Sequence, residues 1–170
     1  MSAIITPKPR VLSSGKLRIS IVASKFNEEF TDALVENAVD EIAKLSENAK
    51  VDLVRVPGAF EIPVISKALI KEEGPDCIIA LGCIIRGGTG HADLVANSVT
   101  AALQQLTVES LTPIIHEVLL VEDEKQAYAR CIGKQLNRGR EAARSALHII
   151  DVMSEIKRAG QSLRLHPSKA

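Results

Sequence analysis

The chain has no tryptophan, one tyrosine and three phenylalanines in 170 residues. Its core must therefore be built from aliphatic side chains, and each aromatic position stands out. Cysteine is nearly as scarce. Cys77, Cys83 and Cys131 are odd in number and contain no CxxC pair, which argues against a disulfide scaffold and fits a reduced, cytoplasmic setting. His91, His116, His148 and His166 share no ligand-type spacing with them, so no metal site is expected. Net charge is also missing: 21 basic and 21 acidic residues cancel, leaving no footprint for nucleic acid or an anionic membrane. No apolar run approaches the roughly 20 residues of a membrane span. Met1 to Gly15 carries prolines and serines without an apolar segment, so it does not read as a secretory signal.

What is present is a hydrophobic content of 46%, enough for one domain with a real core. Short β-type runs alternate with helical periods. Leu17 to Ala23 is apolar and β-branched, a first strand, and Phe30, Leu34, Ala38, Ile42 and Leu45 follow at helical spacing. Val51 to Val56 is a second strand ending at Pro57-Gly58, where a second helix begins with Pro63 in its first turn. Cys77 to Ile85 is a third strand, apolar throughout and so buried on both faces, with Val95, Val99, Ala102 and Leu106 marking the helix after it. Pro113 restarts the chain into a fourth strand, Ile114 to Val121. Helices are expected over Glu124 to Cys131 and Gly139 to Arg158, around the polar stretch Gly133 to Arg138. Strands alternating with helices of this length predict right-handed βαβ units: a flavodoxin-like three-layer α/β/α sandwich with a four-stranded parallel sheet. One domain would span residues 17–158. Residues 1–16 form an N-terminal arm, disordered or docked on a neighbour, and residues 159–170 a C-terminal tail.

In such a sheet the loops after the strands gather along one edge, where ligands bind. That rule selects Ser24 to Asn27, Pro57 to Glu61, Arg86 to His91, and Glu122 to Arg130. The third segment is the most informative, because an apolar strand ends abruptly in Arg-Gly-Gly-Thr-Gly-His. Gly87, Gly88 and Gly90 lack Cβ atoms, so their N–H groups can approach an anion closely and adopt positive φ. Thr89 adds a hydroxyl, and the next helix adds its positive end. The loop is neither a Walker A sequence nor a dinucleotide fingerprint. A phosphate cradle and a plain tight turn both remain open. His91, at the helix start, reads as a capping residue or as a proton shuttle beside a phosphate. Phe26 reads as a staple on the first helix or a stacking platform for a flat heterocycle. Glu61 caps a helix or binds ligand hydroxyls, and Arg130 is a solvated cation unless an anion comes within reach.

Taken together, Phe26-Asn27, Val56-Pro-Gly-Ala-Phe-Glu-Ile-Pro63, Leu81-Gly82, Ile85-Arg86-Gly87 with His91, and the Glu124 to Arg130 segment resemble the lumazine synthase family of riboflavin biosynthesis, over nearly the whole chain. The resemblance implies a transferase that condenses 5-amino-6-(ribitylamino)uracil with 3,4-dihydroxy-2-butanone 4-phosphate to 6,7-dimethyl-8-ribityllumazine, phosphate and water. It implies that Phe26 stacks on the pyrimidine and that Ala59, Phe60 and Glu61 line the ribityl side. Backbone groups of Cys83, Ile84 and Ile85 would then meet the heterocycle, Gly88 and Thr89 would hold the phosphate, and His91 would transfer protons. It further implies a homo-oligomer with pockets between subunits, so that His116 and Arg130 come from the neighbour. Arg130 would reach the phosphate, with Lys134 a lesser candidate. No cofactor is implied, and riboflavin synthase is a candidate partner.

Three positions depart from the family pattern: His116 where phenylalanine is common, Gly90 where a bulkier residue is usual, and Cys83 in place of a smaller one. The short segment Gly133 to Gly139 has the length of members that assemble pentamers into hollow icosahedral shells, and the arm could add to a neighbouring sheet. Competing readings are a non-catalytic flavin- or lumazine-binding protein, a purely structural shell subunit, and an electron carrier. The last would need a phosphate loop after the first strand, and Ser24 to Asn27 has no glycine.

Overall fold

Two aliphatic runs set the centre of the sheet. In β1 (Leu17–Ser24) every residue from Ile19 is buried, and in β3 (Cys77–Ile85) every residue to Cys83 is. Strands apolar on both faces belong in the middle of a sheet covered on both sides. β2 (Ala49–Val56) and β4 (Ile114–Val121) are only half-buried and take the edges. The computed structural model, which describes residues 16–165 and side chains as far as Gly160, has the all-parallel order β2-β1-β3-β4. The expected arm up to residue 15 and the last five residues lie outside that range.

Successive residues of β3 serve opposite layers, as the strand period of two requires. Cys77, Ile79, Leu81 and Cys83 pack with α1 (Glu28–Leu45), α4 (Glu124–Cys131) and α5 (Arg138–Leu165). Ile78 and Ala80 pack with α2 (Ile62–Glu72) and α3 (His91–Ser110) through Ile62, Val99 and Leu103. The result is the expected flavodoxin-like α/β/α sandwich. Alanines 38, 142, 143 and 146 carry the α1–α5 contact and are fully buried. Gly139 brings the two backbones closest: a Cβ there would lie 2.4 Å from the carbonyl oxygen of Leu34.

Apart from one-residue shifts at the end of β1 and the start of α5, the boundaries differ from expectation in four places. α1 begins at Glu28, because two acidic residues ahead of the first apolar position suit the positive helix end. β2 starts at Ala49, where it pairs with Leu17. The second helix does not begin at Pro57-Gly58: a 3-10 turn, Ala59–Glu61, intervenes before α2. α5 continues to Leu165, so the backbone expected as tail after 158 is helical through that residue.

Candidate active site

β1 leads to β2 on one side and lies beside β3 on the other, which makes the gap between β1 and β3 the topological switch point. A cleft of about 380 Å³ opens there at the carboxyl ends of the strands. Phe26, Ala59, Phe60, Cys83, Ile84, Ile85, Thr89 and His91 line it, joined by Ser24, Asn27, Gly58, Gly87, Ala92 and Val95. Eight of the twelve residues singled out by sequence therefore converge in one chain. Phe26 and Phe60 remain 73% and 61% exposed. Two aromatics left open in a chain with so few mark a surface built to be covered.

Backbone geometry holds Phe26 in place. Lys25 N–H donates to the Val56 carbonyl at 2.8 Å and Phe26 N–H to that of Pro57 at 3.2 Å. Asn27 is left-handed, at φ 56 and ψ 50, and its Nδ2 donates to the Cys83 carbonyl at 2.7 Å. The strained residue thus ties the loop after β1 to the end of β3. Asn27 entered the sequence reading only as part of a motif. Its signal was its type, since asparagine tolerates left-handed backbone better than most residues. The Cys83 thiol sits in the opposite core layer, in the same cluster as Cys131, so only backbone of this residue can serve the cleft.

Glu61 does what a capping residue does: its Oε2 accepts from Gly58 N–H at 2.8 Å and closes the turn that carries Phe60. Its carboxylate is not part of the cleft lining. Gly82, in β3, has a packing reason to be glycine, because a Cβ would lie 3.1 Å from Val118 and 3.3 Å from the Ser24 hydroxyl. The loop glycines have none. A Cβ on Gly87, Gly88 or Gly90 would meet nothing within 4 Å, and none of the three uses the positive φ that glycine allows; Gly90, at φ −71, leads straight into α3. Among the described residues, no N–H group of Gly87, Gly88, Thr89 or Gly90 finds a protein acceptor. Four N–H donors without a protein acceptor, open space and a helix N-terminus are the features an anion cradle would need. Gly88 lies outside the cleft lining, where Gly87 takes part instead.

Arg86, which the sequence reading used only within a motif, is occupied. Its Nη2 and Nε donate to the two oxygens of Asp93 at 2.7 and 3.3 Å, and Nη1 donates to Glu122. The hydrogen bonds to Asp93 push the guanidinium pKa up, and the same contact pulls Asp93 down. The loop's own guanidinium is therefore already matched by two carboxylates.

His116 and Arg130 do not reach this cleft. His116 stands on the edge strand β4 with its Nε2 2.9 Å from the Thr100 hydroxyl, which itself donates to the Ala96 carbonyl at 2.8 Å. With its one hydrogen given away, Thr100 accepts, so the Nε2 of His116 is the donor in this pair. Arg130 lies in the last turn of α4, and its charge acts on Glu117 of β4. Burial pushes the Glu117 carboxyl up to about 7, with Arg138 opposing and Glu141 adding to the rise. A carboxyl with a higher pKa in the folded than in the unfolded chain loses stability for the fold as pH rises between those values. Glu117→Gln is therefore expected to be neutral near pH 4.5 and stabilising above pH 8, by on the order of 1–3 kcal/mol. Urea denaturation at the two pH values measures this, and equal effects at both would refute it.

Fold and cleft together define a flavodoxin-like α/β protein with an open cleft at the carboxyl ends of its central strands. Residues 16–154 match the family model of 6,7-dimethyl-8-ribityllumazine synthase. The protein of that name from Methylibium petroleiphilum is 42% identical over 141 residues, covering 82% of this chain and 86% of the relative. Its namesake from Paracidovorax citrulli is 40% identical over 146 residues, covering 85% and 92%. A solved GDP-L-fucose synthetase from Naegleria fowleri aligns with a TM-score of only 0.42 at 11% identity, covering 96% of this chain and 51% of that one, too weak a likeness to bear on the site. The chain belongs to the 6,7-dimethyl-8-ribityllumazine synthase family.

Proposed function

We propose that this chain condenses 5-amino-6-(ribitylamino)uracil with 3,4-dihydroxy-2-butanone 4-phosphate to 6,7-dimethyl-8-ribityllumazine, as a cytoplasmic homo-oligomer with shared sites. Family membership supports the reaction. The observation that carries the reading of the site is the row of unpaired N–H groups from Gly87 to Gly90 at the rim of an apolar, aromatic-flanked cleft. In this reading Phe26 stacks on the pyrimidine, Ala59 and Phe60 flank the ribityl chain, and Glu61 accepts its hydroxyls through the oxygen not used for capping. Backbone of Cys83, Ile84 and Ile85 meets the heterocycle, while Gly88 and Thr89 hold the phosphate.

The uracil amine attacks the ketone, and water leaves as the imine forms. Phosphate then departs, and ring closure expels a second water. The substrates carry this reactivity themselves, so the protein contributes mainly alignment and stabilisation of the departing phosphate. His91, beside the cradle, moves protons between amine, carbinol and leaving group. Because Arg86 is engaged, the phosphate needs a second cation. Arg130 of a neighbouring copy supplies it, with His116 beside it. Both lie near β4, outside their own chain's cleft, which supports a pocket completed by assembly into pentamers, and the short segment before α5 favours a shell of them.

Mixing the purified protein with both substrates and following lumazine fluorescence tests the reading. A binding protein or a structural subunit would not accelerate product formation. His91→Ala is expected to slow turnover about tenfold, short of the 10²–10⁴ usual for general acid–base residues. Complete loss of activity in a folded variant would overturn that ranking.

A further inference from the structure

We propose that Arg86 is a positioning residue for the anion cradle and not an anion ligand. The inference rests on the reading of the Gly87–Gly90 loop as a phosphate site. Arg86 is the first residue of the segment, and Asp93 lies just beyond its end, so their two hydrogen bonds close the loop upon itself. Glu122, directly after β4, holds the same guanidinium from a third side, and the Arg86 N–H donates to the Val121 carbonyl at 2.9 Å. Among the described residues, the other ties within the loop are Leu94 N–H to the Gly90 carbonyl at 3.2 Å and a long contact of 3.5 Å from His91 N–H to the Thr89 hydroxyl. The guanidinium fork thus dictates where four unpaired N–H groups point, and where His91, two residues before Asp93, begins its helix.

Two features separate positioning from anion binding. The three charged groups are substantially exposed, at 38%, 44% and 56%, and exposed ion pairs add little stability, so the clamp acts on geometry. One guanidinium against two carboxylates also leaves a net negative charge, which attracts no phosphate. The two roles predict opposite signs for loss of Asp93. If Arg86 bound phosphate, Asp93→Asn would free it and tighten binding; if Arg86 positions the loop, Asp93→Asn loosens the cradle and weakens binding.

Steady-state kinetics with each substrate varied, and titration calorimetry with inorganic phosphate, read the difference on the full chain. Asp93→Asn and Arg86→Gln are each expected to raise the KM for the butanone phosphate and the Kd for inorganic phosphate about tenfold, with the KM for the pyrimidine within about twofold. The double variant should be no worse than the poorer single one, because both remove the same clamp. Arg86→Lys should fall between, since an ammonium cannot reproduce the fork. Tighter phosphate binding by Asp93→Asn, additive effects, or equal rises in both KM values would overturn the proposal. If the wild-type protein makes no lumazine, the functional reading fails, while calorimetry with phosphate still decides the role of Arg86.

Discussion

Arg130→Ala is expected to raise the KM for the butanone phosphate about 100-fold and to leave the KM for the pyrimidine nearly unchanged. The reason is charge arithmetic at the cradle. The loop offers neutral N–H donors, and its own guanidinium is held by Asp93 and Glu122. A phosphate dianion there lacks a countercharge within the chain, so losing the one cation assigned to it should cost about 2.7 kcal/mol, which is 100-fold. Subunit mixing tests whether that cation comes from a neighbour. Assayed with butanone phosphate near the wild-type KM, where each is nearly inactive alone, Arg130→Ala and Phe26→Ala subunits should regain about a quarter of wild-type activity when reassembled in equal amounts, since in a symmetric ring about one interface in four then joins an intact Phe26 to an intact Arg130. A site within one chain would regain nothing, because every chain would carry a defect. No recovery would therefore sink the shared-site assignment.

Gly139→Ala is expected to destabilise the fold by about 3 kcal/mol, near the upper end for overpacking. The added methyl would sit 2.4 Å from the Leu34 carbonyl oxygen and 3.1 Å from the Asn37 Cβ, and neither can swing aside, because both belong to the packed body of α1. α1 and α5 would have to separate, opening the contact made by Ala38, Ala142 and Ala146 and straining the 2.6 Å pair between Arg144 and Glu41. In a chain of this size the melting temperature should fall by about 6–12 °C. Gly88→Ala is the control: its Cβ would meet nothing and its φ is not positive, so its melting temperature should stay within a degree or two of wild type even if catalysis suffers. Comparable melting losses in the two variants would show that the glycine at the helix crossing is not special.

Much of this protein was legible from local pattern. Unbroken aliphatic runs at Leu17 and Cys77 required strands covered on both faces, and their alternation with helical periods required a parallel sheet, because each periodicity is a property of a few neighbouring residues. The glycine loop was legible as a candidate for the same reason, and so was the edge of the sheet where Phe26, Phe60 and His91 converge. Tertiary structure alone decided which groups are free and which are taken. That Arg86 is held by Glu122, that Asn27 bends left to reach Cys83, that Gly139 meets Leu34, and that a half-buried Glu117 feels the charge of Arg138 all depend on strand register and helix crossing. Those contacts join residues up to about a hundred positions apart, and the pattern of side chains along one segment carries no information about what another segment brings to it.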